Sequence, residues 1–113
     1  MIFGGVNHSA YVGELINFPL KNNHWWALDI KEFSYDGYQM RNYGASDNAI
    51  AIVDTGTSLA SVPSDIHAKL VQDWTNSMGA VNILCQQGIC ITGFTCDVTE
   101  KKLKPIGFVI DYK

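Results

Sequence analysis

The chain has 113 residues, with eight basic and eleven acidic side chains and a formal net charge of −3. Hydrophobic residues make up 47% and charged residues 17%, which excludes a disordered or fibrous chain and fits one small globular domain. The basic residues are scattered rather than striped, which argues against a nucleic-acid partner, and no apolar run is long enough to cross a bilayer.

From the N-terminus, residues 1–7 lack the basic n-region and apolar h-region of a signal peptide, so none is expected there. Residues 2–6 are short and apolar and read as a strand, with Gly4 and Gly5 allowing a twist. A turn over residues 7–10 leads to a second predicted strand at residues 11–18. The triplet Asn7-His8-Ser9 is an N-glycosylation sequon and makes Asn7 a candidate acceptor on a secretory route. Trp26, Leu28 and Ile30 alternate with Ala27, Asp29 and Lys31, and Phe33 extends the apolar face, so this segment predicts a half-buried strand. Trp26 and Trp74 read as core residues. Asp36-Gly37 is a hairpin signal, and residues 41–48 are polar and read as a loop.

Residues 49–53, Ala-Ile-Ala-Ile-Val, predict a strand buried on both faces. A helix follows. Pro63 suits its first turn, and Ser61 or Ser64 is placed to cap it. Ile66, Leu70, Val71 and Trp74 share one face, while Asp65, Lys69, Gln72 and Asp73 share the other, and Gly79 is the stop. Short strands are expected at residues 80–84, 91–94 and 108–110.

Three cysteines are an odd number. Cys85 and Cys90 could close a short local loop in an oxidising compartment, leaving Cys96 with a partner outside this chain. Three buried thiols are the alternative; a zinc site lacks a fourth ligand at suitable spacing. His8, His24 and His67 show neither metal nor triad spacing and read as structural residues.

The strand over residues 49–53 runs directly into Asp54-Thr55-Gly56-Thr57-Ser58. A carboxylate at the mouth of a buried strand needs hydrogen bonds. Gly56 lets the backbone turn and present an N–H, and Thr57 and Ser58 supply hydroxyls; a carboxylate so bonded is held ionised and oriented. A turn that merely ends the strand could also use Asp-Thr-Gly. The longer pattern, an apolar strand followed by Asp-Thr-Gly-Thr-Ser, points to chemistry.

Residues 49–58 resemble the second active-site segment of the pepsin-like aspartic proteases, and the resemblance runs almost end to end. Residues 2–6 with Tyr11-Val12-Gly13 are similar to the hairpin that opens that family's C-terminal lobe. Residues 26–30 resemble a Trp-bearing strand, and Pro63-Ser64 the start of the helix after the active-site loop. Thr95-Cys96-Asp97 and residues 103–110 are similar to the family's Cys strand and the apolar strand after it. The segment 86–93 departs from the pattern. The fold this implies is mainly β, part of a pepsin-like lobe of antiparallel sheets with one short helix, spanning residues 1–113.

The resemblance also implies roles. Asp54 would be one of two catalytic aspartates, and Thr55 would join the threonine pair that locks the two active-site loops. The Gly56 N–H and Thr57 hydroxyl would bond Asp54, and Gly56, Thr57 and Ser58 would meet substrate backbone. The substrate would be a peptide or protein, with no cofactor and no metal, in a secreted or lysosomal or vacuolar setting. The other aspartate and the flap tyrosine belong to the family's N-terminal lobe, which this sequence does not contain. The last strand of the C-terminal lobe, with the cysteine expected to pair with Cys96, is not in it either. The chain alone is therefore expected to be inactive. A single-lobe homodimer of the retroviral type and a non-enzymatic pepsin-like binding module are the alternatives. Against the first, Asp54 lies far from the N-terminus and its flanking motifs match the bilobal family.

Overall fold

In the computed structural model, which describes residues 2–44 and 49–110, the architecture is organised by one long strand, β1 (Ala27–Tyr35). It pairs antiparallel with β2 (Tyr38–Asn42), β3 (Ile50–Ile52) and β6 (Ile106–Ile110) in a four-stranded sheet. A separate hairpin joins β4 (Ile83–Gln86) to β5 (Ile89–Thr92). Two helices, α1 (Ser64–Met78) and α2 (Cys96–Lys102), complete the elements, where the sequence pattern predicts one. No helix among the described residues is long and apolar enough to cross a membrane.

Residues 2–26 form no strand, which corrects the two strands expected at 2–6 and 11–18. Ile2, Phe3, Val6 and Val12 are exposed, and no neighbouring edge among the described residues offers them a ladder, without which extended backbone stays solvated. The turn between them does form. It is a single 3-10 turn at His8–Ala10, capped by the Asn7 side chain.

The alternation expected from Trp26 to Phe33 holds only in part. Ala27, Ile30, Phe33 and Tyr35 are buried, but Trp26 is 70% exposed and is not a core residue. A bulge accounts for the step from Ile30 to Phe33, though not for the burial of Ala27 in place of Trp26. Ile30 and Glu32 pair with the successive residues Ile110 and Val109, so the register against β6 shifts by one residue between them. The Asp36-Gly37 turn behaves as its residues predict. Both have positive φ, 52° and 76°, and Tyr35 faces Tyr38 across the hairpin, as a type I′ turn requires. Arg41 and Asn42 continue β2 rather than starting the expected loop, of which residues 45–48 lie outside the described residues.

β3 is the expected strand, but it is not buried on both faces. Ile50, Ile52 and Val53 are 45%, 49% and 55% exposed, because β1 is the only strand paired with it among the described residues.

Helix α1 buries Ile66, Leu70 and Met78, with Val71 and Trp74 half-buried on the same side. Pro63 itself occupies the N-cap position, so neither Ser61 nor Ser64 caps the helix. Gly79 ends it with φ 86° and an N–H donated to the Thr75 carbonyl. The expected strand at 80–84 begins as a 3-10 turn, Ala80–Asn82, and becomes β4 only from Ile83. Residues 95–97 open α2 instead of lying in a strand.

The core is small. Phe33 and Tyr35 of β1 meet Ile66 and Leu70 of α1, with Met40, Tyr43, Val62 and Trp74 packed around them. The Tyr35 hydroxyl accepts from Trp74 Nε1 and from the Lys104 backbone N–H, both at 3.2 Å, tying sheet, helix and the approach to β6 together. Burial, aided by the Asp73 charge, raises the Tyr35 phenol above its ordinary value, although the bonds from Lys104 and Trp74 pull it down. Arg41 of β2 reaches Asp65 of α1 at 2.8 Å. The chain exposes 9097 Å² and has a radius of gyration of 16.8 Å; a closed globule of this size has about 6,200 Å² and about 13 Å.

Tyr35→Phe leaves the Trp74 and Lys104 donors unpaired, and a loss of about 1–2 kcal/mol is expected. Urea denaturation of the purified chain measures it, as a lower midpoint with an unchanged slope.

Candidate active site

The site starts where β3 ends. Three residue pairs, Ala27–Ile52, Leu28–Ala51 and Asp29–Ile50, fix β3 against β1. The Val53 N–H adds a bond to the Trp26 carbonyl at 2.9 Å. The chain then leaves the sheet and turns through Asp54-Thr55-Gly56-Thr57-Ser58, all exposed.

The Asp54 carboxylate is held at both oxygens. Gly56 donates its N–H to Oδ1 at 2.8 Å, and the Thr57 hydroxyl donates to Oδ2 at 2.5 Å. The turn is closed by Thr57 N–H to the Asp54 carbonyl at 3.4 Å. The Thr57 hydroxyl, and after it the Gly56 N–H, hold the Asp54 carboxyl below its ordinary value. The constraint at Gly56 is space rather than φ: a Cβ there would stand 3.2 Å from Asp54 Oδ1, so the carboxylate would have to give by a few tenths of an ångström.

Of the residues singled out from sequence, Asp54, Gly56 and Thr57 come together in one hydrogen-bonded unit. Ser58 does not join it; its side chain makes no hydrogen bond to Asp54, and neither does that of Thr55. No second carboxylate shares a hydrogen bond with Asp54 among the described residues. Asn7 lies apart, on the N-terminal 3-10 turn, where its Oδ1 accepts from the Ser9 N–H and hydroxyl at 3.1 and 2.7 Å.

Cys85 and Cys90 are joined in a disulfide across the β4–β5 hairpin, and Cys96 is free and exposed at the start of α2. His67 of α1, read from sequence as structural, places Nε2 at 3.6 Å from Cys90 Sγ. The two lie 23 positions apart, so no local spacing announces the contact. An open groove of about 730 Å³ runs beside α2, lined by Ile91, Phe94, Cys96, Leu103, Lys104 and Pro105; none of its lining belongs to the Asp54 turn.

The family model described as eukaryotic aspartyl protease matches residues 1–112. The chain belongs to this family. It is 32% identical to gastricsin of Cavia porcellus over 115 aligned positions, covering 97% of this chain and 29% of that protein. It is 33% identical to rhizopuspepsin-4 of Rhizopus niveus over 113 positions, covering 96% and 24%. Candidapepsin-2 of Candida parapsilosis is 34% identical over 84 positions, 71% of this chain and 17% of that protein. The chain thus spans less than a third of the length of these relatives. No solved structure matches it. The mainly antiparallel β architecture with two helices is consistent with part of a pepsin-like lobe.

A carboxyl that titrates lower in the folded chain than in the unfolded one, where it lies near ~3.9, favours folding above that pH. The contribution is lost as pH falls through the lowered folded value. Removing the main cause should reverse the shift. In Thr57→Val, carboxyl ¹³C NMR should show Asp54 titrating higher than in the parent chain, back toward the ordinary aspartate range. An unmoved titration would show that the hydroxyl does not hold the carboxylate.

Proposed function

We propose that this chain supplies one of the two carboxylates of an aspartic endopeptidase, and that Asp54 is that carboxylate. The observation that carries the reading is the bonding of both Asp54 oxygens, by Gly56 and Thr57, at the exit of β3 within the stretch matched by the family model. A carboxylate so held is fixed in direction and ionised near neutral pH. On its own it can accept a proton from a water but has no acid partner.

The second aspartate comes from outside this chain. Two carboxyl groups brought together share one proton, because both cannot ionise at such close range. The ionised group takes a proton from the water that attacks the scissile carbonyl, and the protonated group stabilises the developing oxyanion. Gly56, Thr57 and Ser58, exposed around Asp54, are then free to meet the backbone of a peptide or protein substrate, and Thr55 is free to bond its counterpart on the opposing active-site loop. In this reading residues 1–113 form part of a C-terminal lobe, and the chain by itself is inactive.

Two further observations support an incomplete unit. The exposed area exceeds that of a closed globule of this size, and Trp25, Trp26, Ile50, Ile52, Val53 and Phe108 are all solvent-facing. Apolar surface on this scale belongs to an interface. Cys96, free and exposed, is available to a cysteine outside the chain. The Cys85–Cys90 disulfide and the open Asn7 sequon fit a secreted or lysosomal or vacuolar route, with Asn7 as the glycan acceptor.

The test is Asp54→Asn in the longer protein that carries this chain together with its second lobe. Peptide hydrolysis at acid pH should fall by at least about 10³-fold, while circular dichroism and thermal unfolding stay close to those of the parent. A folded, active Asp54→Asn protein would remove Asp54 from the catalytic pair.

A further inference from the structure

The β4–β5 hairpin carries chemistry that the Asp54 site does not use. Its turn is Gln87-Gly88, with φ of 51° and 80°, so Gln86 and Ile89 close the loop and Cys85 faces Cys90 one step further in. In a hairpin with a two-residue turn, that position is a narrow, non-hydrogen-bonded pair. The two Cα atoms are accordingly 4.1 Å apart, and the sulfurs are bonded.

The two sulfurs have different surroundings. Cys85 is exposed on β4. Cys90 is half-buried toward α1, with Trp74, Met78 and Ile83 around the same small cavity. Its Sγ lies 3.6 Å from His67 Nε2. His67 is in the first turn of α1, where unpaired backbone N–H groups make the helix end favourable to negative charge. An imidazolium and a helix N-terminus are the two features that stabilise a cysteine thiolate. Here the imidazole is directed at one member of the pair.

We propose that Cys85–Cys90 is a thiol–disulfide exchange site for small thiols of the glutathione class, with Cys85 as the sulfur attacked and Cys90 as the sulfur released against His67. The incoming thiolate attacks the exposed Cys85 Sγ in line with the S–S bond. A bond forms between the thiol sulfur and Cys85, the Cys85–Cys90 bond breaks, and its electron pair leaves on Cys90 as a thiolate. The His67 ring donates its Nε2 hydrogen to that thiolate. A second thiolate then attacks the mixed disulfide at the small-thiol sulfur, releasing the oxidised small-molecule disulfide and leaving Cys85 and Cys90 both reduced. His67 is a positioning and charge-stabilising residue for the leaving group. The inference is independent of the role given to Asp54.

The experiment uses the 113-residue chain with Cys96→Ser, so that the free thiol does not contribute, and reduced glutathione as the probe. Samples are acid-quenched, alkylated and mapped by mass spectrometry. The parent disulfide is expected to open with glutathione trapped on Cys85. His67→Ala should slow the opening about tenfold, His67→Lys should restore most of the rate, and Lys69→Ala on the same helix should leave it unchanged. Circular dichroism checks that each variant keeps α1. A His67→Ala rate within about twofold of the parent in a folded chain, or glutathione trapped on Cys90, would overturn the proposal.

Discussion

The Asp54 turn is held to the body of the protein by three antiparallel residue pairs between β3 and β1. Everything at the site depends on that short ladder. β3 is three residues long, too short to hold itself, and it is positioned only because β1 is anchored elsewhere. The C-terminal half of β1 is clasped between β2 and β6, and its Phe33 and Tyr35 are locked into α1. The rigid part of the molecule thus lies at one end of β1 and the carboxylate at the other. A bulge at Lys31 separates the two, letting the strand present its buried side chains to α1 while its first residues still pair with β3.

The turn itself is an electrostatic device made from the fewest parts. One backbone N–H and one hydroxyl account for both oxygens of Asp54. Both are donors, so they favour the charged form and hold it at a fixed angle. They cannot supply a proton for chemistry, because the hydroxyl is committed to the carboxylate and the amide is too weak an acid. The arrangement keeps the carboxylate ionised and oriented. Apolar side chains beside the turn, on β3 and at Trp25 and Trp26, are exposed.

Much of this was legible in the sequence because it rests on local chemistry. Asp36-Gly37 demands a hairpin whatever surrounds it, Gly79 stops a helix through its own backbone, and Asp-Thr-Gly-Thr folds back on its own carboxylate. The Cys85–Cys90 pairing was one of two readings of the cysteine spacing, and the β4–β5 hairpin decides for it. What was not legible depends on neighbours. Apolar residues at 2–6 and 11–18 have strand composition but no edge to join among the described residues. Residues 49–53 are apolar enough to be buried on both faces, yet among the described residues only β1 pairs with them. Trp26 is a large apolar residue beside a buried alanine, and it is Ala27, not Trp26, that starts β1 and pairs with β3. The α2 helix replaces an expected strand at Thr95, whose hydroxyl bonds the Asp97 carboxylate at 2.5 Å. The meeting of His67 with Cys90 is a tertiary contact that no spacing rule could reveal.

The central claim is that Asp54 is half of a site. It is tested most directly by assaying the purified 113-residue chain for peptide hydrolysis across acid pH, with and without a statine-type transition-state analogue. The account predicts no hydrolysis above the uncatalysed background and no effect of the analogue. Robust hydrolysis abolished by the analogue would contradict it, because a single Asp54 would then have found its second carboxylate within this chain or in another copy of it.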